Sequence, residues 1–349
     1  MKYIELYTAL RKSIENGSFT YGEKLPSKRT LSDKFSVSVI TVVHALELLC
    51  DEGYIMPRQR SGYFVIYRKG EHKLIPLLHQ TVPTKRDFVK IDGFPFSSFA
   101  KTMRKVLTCY GEEILSRSQK FGNLELRNEI SRYLARAKGM NVPCERIVIG
   151  AGAEYLYELS ILFFGKSTVF AIENPSYMQI EKIYRANEIE IELLPLGNDG
   201  IESSYLKKTS ATVLHISPFR SYPSGVTASA TKRLEYVEWL KKGNRYIIED
   251  DFESEFSKNP SQSLYSLTEG KGIIYINTFS KTISPSLRVA YMVLPEEIST
   301  EFEKKLGFFS CTVPTFEQLV IAEFIKTGDF ERHINKIRRN SKKIIDKEK

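Results

Sequence analysis

A mostly parallel α/β sheet covered by helices, preceded by a small α+β unit of three helices and a hairpin, is the fold class this sequence predicts. Three observations carry that prediction. From about residue 91 onward, short apolar runs alternate with helix-length stretches, the pattern of strand–helix–strand units packed on both faces of a sheet. The first 67 residues instead hold three helix-length stripes, then two strand runs around a basic tip. Between the two, residues 68–90 sustain neither period and contain Lys69-Gly70, Pro76 and Pro83, which reads as a linker. Its apolar run Leu74-Ile75-Pro76-Leu77-Leu78 is suited to docking on a domain surface.

In the N-terminal unit, residues 3–16 read as a helix with Ile4, Tyr7, Leu10 and Ile14 on one stripe, ended by Gly17. Ser27 is placed to cap a second helix that turns Leu31 and Phe35 inward. Val37-Ser38 makes a short turn, and Ser38 can cap a third helix carrying Val42, Val43, Leu46 and Leu49 as far as Gly53. Tyr54-Ile55-Met56 and Gly62-Tyr63-Phe64-Val65-Ile66 then form a hairpin whose tip is Arg58-Gln59-Arg60. Three helices and a basic hairpin make a winged helix-turn-helix, in which the third helix enters the major groove and the wing touches the backbone or minor groove.

This unit resembles the GntR family of regulators. The resemblance rests on Leu25-Pro26-Ser27-x-Arg29-x-Leu31, Val37-Ser38, Thr41-Val42, Glu52-Gly53-Tyr54 and Ser61-Gly62-Tyr63-Phe64-Val65. It implies that Ser27 and Arg29 meet DNA from the second helix, Ser38 and Thr41 from the recognition helix, and Arg58, Arg60 and Gly62 from the wing. The family usually places an arginine directly after the Val-Ser pair, where this chain has Val39 and then Ile40. A branched apolar side chain cannot make a bidentate contact to guanine, although it can pack on a thymine methyl.

In the second half, residues 125–137 and 155–163 read as helices. Strands are expected at 146–149, 168–172, 189–193, 212–216, 246–248 and 272–276. Ligands in such folds lie at the carboxyl ends of the strands, and each motif falls just after a strand. Lys281 stands in Thr278-Phe279-Ser280-Lys281-Thr282, with Arg288 seven positions on. That combination suits pyridoxal 5'-phosphate (PLP): the amine forms a Schiff base with the cofactor aldehyde, the guanidinium fork matches its phosphate, and Thr278 and Ser280 add hydroxyl donors. Gly150-Ala151-Gly152-Ala153 leads into a helix whose free amides suit the same phosphate, through Gly152 and Ala153.

This half resembles the fold-type I aminotransferases, and the whole chain is similar to the MocR/GabR subfamily of GntR regulators. The resemblance implies that Asp250, in Ile248-Glu249-Asp250-Asp251-Phe252, faces the pyridine nitrogen, that Tyr177 stacks on the ring, and that Tyr222 borders the cofactor. This chain departs from the family pattern in three places. Phe252 stands where a tyrosine usually supplies a hydroxyl to the cofactor's phenolic oxygen. Arg220-Ser221 replaces a His-Gln pair in the loop Phe219-Arg220-Ser221-Tyr222-Pro223-Ser224-Gly225, where Arg220 is expected to face solvent or bind a ligand carboxylate. The chain also ends in a basic helix over 332–345, within 326–349, where related chains run on for roughly one small domain that carries the arginine gripping an α-carboxylate. Transamination is therefore expected to be slow or absent.

Hydrophobic and charged fractions of 42% and 27% are those of a globular chain and exclude a disordered one. Cys50, Cys109, Cys144 and Cys311 lack metal-ligand spacing and read as four reduced thiols, which places the chain in the cytoplasm with no metal expected. The net charge of +9 gathers at the ends: residues 1–70 hold 11 Lys and Arg against 7 Asp and Glu, and residues 326–349 hold 9 against 4. The N-terminal surplus suits a polyanion. The leading expectation is a PLP-responsive transcription factor that binds double-stranded operator DNA as a homodimer and senses an amine, an amino acid or PLP itself. Two other readings stay open: an aminotransferase with a vestigial winged helix, and a DNA-binding protein whose PLP fold only joins copies.

Overall fold

A computed structural model describes residues 2–58, 61–68, 94–257 and 262–345. The chain divides into two compact units, residues 1–88 and 89–349. Most of the expected linker, its apolar run at 74–78 included, lies outside the described residues, as does Arg60 at the hairpin tip.

The first unit comprises α1 (Lys2–Glu15), α2 (Lys28–Phe35), α3 (Val39–Asp51) and a hairpin of β1 (Ile55–Arg58) and β2 (Gly62–Val65). Both serine caps form. The Ser27 hydroxyl accepts from the Thr30 amide at 3.2 Å, and the Ser38 hydroxyl accepts from the Thr41 amide at 3.1 Å, each satisfying a donor the helix start leaves free. Ser36, in the left-handed region with φ 51°, closes α2 and sets the tight turn into α3. Leu6, Leu10, Ile14, Leu31, Val42, Leu46, Leu49, Ile55 and Val65 share one core. The buried stripe of α1 therefore differs from the expected one. Leu6, Leu10 and Ile14 repeat every four residues on one face, whereas Ile4, two positions before Leu6, turns outward and is 51% exposed. Tyr7 packs at the edge of the core.

In the second unit α4 (Phe96–Tyr110) and α5 (Leu124–Lys138) precede β3 (Ile147–Gly150) and α6 (Ala153–Phe164). There follow β4 (Phe170–Asn174), α7 (Met178–Ala186), β5 (Ile191–Gly197), β6 (Gly200–Ile201), α8 (Ser203–Lys208), β7 (Val213–Ile216) and α9 (Ala230–Leu240). The unit closes with β8 (Tyr246–Asp250), α10 (Leu264–Leu267), β9 (Ile273–Thr278), β10 (Ala290–Val293), α11 (Glu296–Leu306), α12 (Thr315–Lys326) and α13 (Asp329–Ile345). The sheet order is β3-β10-β9-β8-β7-β4-β5-β6. Strands β5, β4, β7, β8 and β9 run parallel to one another. Because successive strand residues face opposite sides, one β9 sends Ile273 and Tyr275 into the core beneath α5, α9 and α12, and Ile274 and Ile276 into the core beneath α6, α7 and α11.

Each expected strand is found, its ends displaced by no more than four residues. Two antiparallel strands, β6 and β10, are additional, and β10 matters for the site. It lies between β9 and β3, so that Ala290 pairs with Thr278 on one side and with Gly150 on the other. The last helix also starts earlier than its basic stretch, at Asp329, because two acids in its first turn suit the positive end of the helix dipole. In chain order, β4 leads to β5 on one side and β7 continues on the other. The crevice where ligands settle thus opens beyond the carboxyl ends of β4 and β7.

Candidate functional site

An open cleft of about 790 Å³ lies at that switch point, lined by Gly152, Ala153, Tyr177, Tyr222, Asp250, Thr278, Ser280, Lys281 and Arg288, together with Glu154, Tyr157 and Phe252. All nine cofactor-site residues singled out from the sequence are thus gathered on one surface, although they come from five separate stretches of chain. The register of β10 explains part of this. Ala290 sits opposite Gly150, so Arg288, two residues earlier, meets Gly152, two residues later. Gly152 has φ 92°, and a Cβ there would lie 2.9 Å from an Arg288 guanidinium nitrogen. Glycine is therefore needed twice over, for its backbone angle and for the space the guanidinium occupies.

The cationic end of the cleft pairs with two acids that sequence reasoning did not select. Arg288 donates to Glu154 in the first turn of α6 at 2.5 Å. Lys281 donates to Glu253 at 2.7 Å and lies 4.4 Å from the centre of the Phe252 ring. Glu253 also reaches Arg220 at 3.4 Å, so Arg220 stands at the rim and is 57% exposed rather than turned into the cleft. Beside Lys281, the Ser280 amide donates to the Thr278 hydroxyl at 3.1 Å, which in turn donates to the Val289 carbonyl at 3.3 Å. These bonds fix the turn after β9.

Asp250 and Asp251 are sorted by strand alternation. Asp250 faces the cleft and accepts from the Tyr157 phenol at 2.5 Å. Asp251 points to the opposite side, where it accepts from Lys138 and Tyr275, each at 2.7 Å. Burial pushes the Asp250 carboxyl up to about 7, against the lowering effect of the Tyr157 bond. Behind it, His215 is wholly enclosed, its Nδ1 paired with the Tyr184 hydroxyl at 2.9 Å and its Nε2 4.0 Å from Asp250. Burial pushes this imidazole down to about 3, so it is neutral. Tyr157 carried a usable signal: it lies one helical turn after Ala153, on the face of α6 that starts at the cleft. Glu253 and His215 carried none, since their partners are distant in sequence.

Tyr177 and Tyr222 form the outer wall, their rings 6.0 Å apart and steeply inclined at 73°. Both are exposed. The Tyr222 loop is held to β4 by the Ser221 hydroxyl, which donates to the buried Glu173 at 2.5 Å.

In the first unit, Ser27, Arg29 and Ser38 are exposed, and Thr41 is half-buried on the first turn of α3, its hydroxyl 2.8 Å from that of Ser38. Gly62 ends the hairpin loop with φ 108°. Arg58 opposes Gly62 in the ladder and lies over the Phe64 ring at 4.4 Å.

Residues 2–65 match the family described as bacterial regulatory proteins, gntR family. The HTH-type transcriptional regulator YdeL of Bacillus subtilis is 32% identical over 97% of this chain and 76% of its own length. The pyridoxine biosynthesis regulator PdxR of Corynebacterium glutamicum is 25% identical over 96% and 75%. The probable rhizopine catabolism regulatory protein MocR of Rhizobium meliloti is 23% identical over 96% and 74%. Among solved structures, a multiple substrate aminotransferase from Thermococcus profundus superposes with a TM-score of 0.65 at 22% identity, over 71% of this chain and 65% of its own. The chain thus spans a little under two thirds of that aminotransferase, and the likeness is one of fold.

Proposed function

The chain belongs to the MocR/GabR-type regulators of the GntR family, and from that premise we propose that it is a DNA-binding regulator that holds pyridoxal phosphate in the cleft around Lys281 and responds there to an amine, an amino acid or the vitamer itself. The observation that carries the cofactor reading is the meeting of Lys281, Arg288, Asp250 and the Gly152 cradle in one cleft. The donor set fits the group. Arg288 offers a planar fork to a phosphate beside the free amides at the start of α6. A Cβ at position 152 would enter that space. At the far side, Asp250 would accept from a ring nitrogen, with its Oδ2 already accepting from the Tyr157 phenol.

Bound in this cleft, pyridoxal phosphate would supply an electrophilic aldehyde carbon to which primary amines add, conjugated to an electron-withdrawing ring. The protein's own residues do the rest. Lys281, now paired with Glu253, would supply the amine that condenses with the aldehyde, with loss of water. Arg288, now paired with Glu154, would hold the phosphate. Tyr177 and Tyr222 would border the ring on its outer side. For such a ligand to act as a switch, it must bind two arrangements of the DNA-reading units with different affinity. The relatives named for pyridoxine biosynthesis and rhizopine catabolism agree with effectors that are vitamers or amines.

The test is an absorbance titration of the purified chain with pyridoxal phosphate. The wild type should develop the visible band of a lysine-bound pyridoxal, and Lys281→Ala should not. A variant that keeps the band removes Lys281 from the site. A second reading, in which the unit is a scaffold without cofactor, is favoured by Phe252 and by the two glutamates that hold both cations. A wild type that develops no band would select it.

A further inference from the structure

The first turn of α3 begins with Val39 and Ile40, which are 43% and 70% exposed. The inner face of the same helix is filled without them, by Val42, Ala45, Leu46 and Leu49, each 0% exposed. Two adjacent branched apolar side chains thus stand in water at the end of the helix that a winged helix-turn-helix turns toward bases. The preceding helix carries exposed basic residues, Lys28, Arg29 and Lys34, and Ser38 directly precedes Val39. Such an apolar tip, following a basic helix in the chain, is complementary to one feature of duplex DNA. The floor of the major groove presents a single kind of apolar group, the C5 methyl of thymine, between two rows of phosphates.

Neither side chain can give or take a hydrogen bond, so the N7 and O6 atoms of guanine offer them nothing. Both are stiff at χ1 within a helix, so their methyl groups are presented with little entropy left to lose on contact. The Ser38 cap and the Ser38–Thr41 hydroxyl pair hold the turn in place from the polar side. We infer that Val39 and Ile40 read thymine through its C5 methyl group, making this chain a methyl reader at the position next to Ser38. The inference rests on the DNA-binding reading of residues 2–65 and names what that surface recognises. The same methyl occurs on 5-methylcytosine, and the two sources are separable.

The test uses the full chain and a random-sequence duplex library. Bound duplexes are enriched, and each thymine in the enriched site is replaced in turn by deoxyuridine, which lacks only the methyl. At least one replacement should weaken binding about fourfold, the equivalent of the ~0.8 kcal/mol of one buried methyl-sized group. That loss should vanish in the double variant Val39→Ala, Ile40→Ala, whose positions are exposed and outside the core. Val39→Arg should instead enrich guanine at the same place. A 5-methylcytosine·guanine pair at the sensitive position that restores affinity assigns the contact to the methyl alone, and one that does not assigns it to thymine in its own pair. Enriched duplexes that bind equally well with every thymine replaced overturn the inference and leave DNA binding standing. A library from which nothing is enriched overturns the DNA-binding reading as well.

Discussion

At Asp250 a single carboxyl is held in a wholly buried setting with one phenol donor. Burial raises it to about 7, so the fold favours its protonated form. The stability this lends to the cofactor-free chain is whole below about pH 4, where the unfolded group is also protonated. It is lost as pH rises through about 7. Glu173 and Glu249, likewise raised to about 7 by burial, act with the same sign. Asp251, held low beside Lys138, acts with the opposite sign, and its share is lost only under more acidic conditions. Asp250→Asn should therefore flatten the fall in melting temperature between about pH 4 and 7 without removing it, as read by thermal denaturation of the ligand-free chain. An unchanged slope would mean that Asp250 is ionised throughout. The sequence announced Lys281, Arg288 and Asp250, because each stands in a local frame that only its chemistry explains. It was silent on Glu253, His215 and the placement of Arg220, which are set by contacts made after the chain has folded.

Among the elements, α3 depends on its first turn. Ser38→Ala removes the acceptor of the Thr41 amide and should cost about 1 kcal/mol. In a unit of this size that lowers the melting temperature by roughly 4–8 °C, while Ser38→Asp, which keeps an acceptor, should restore most of it. Both helix caps were legible because serine followed by an apolar stripe is a local signal. The strand β10 was not. Its run Ala290-Tyr291-Met292-Val293 is short, uniformly apolar and free of alternation, and such a run does not declare itself as strand or helix. The stripe of α1 was misplaced for a related reason: with Ile4, Leu6, Tyr7 and Leu10 close together, two faces look apolar, and only packing against α3 chooses Leu6.

For the molecule as a whole, each unit has its own core, and among the described residues the first is built from Leu6, Leu31, Leu46 and their neighbours. A fragment ending at residue 68 should fold by itself and melt cooperatively, with a stability no greater than about 3–5 kcal/mol, as expected for so small a core. Circular dichroism and a thermal melt would show this, and a fragment without a transition would mean that the second unit is needed to hold the first. From the sequence, the boundary is expected in the stretch lacking any period, residues 68–90. The basic surplus at residues 1–70 likewise pointed to the unit now matched to the gntR family. The pairing of Thr278 and Gly150 with the same residue, Ala290, has one more outcome. The stretch from Lys281 to Arg288 is a span moored at both banks: its letters can be exchanged, but a codon gained or lost between them leaves slack, or tension, that must be taken up inside the cleft itself.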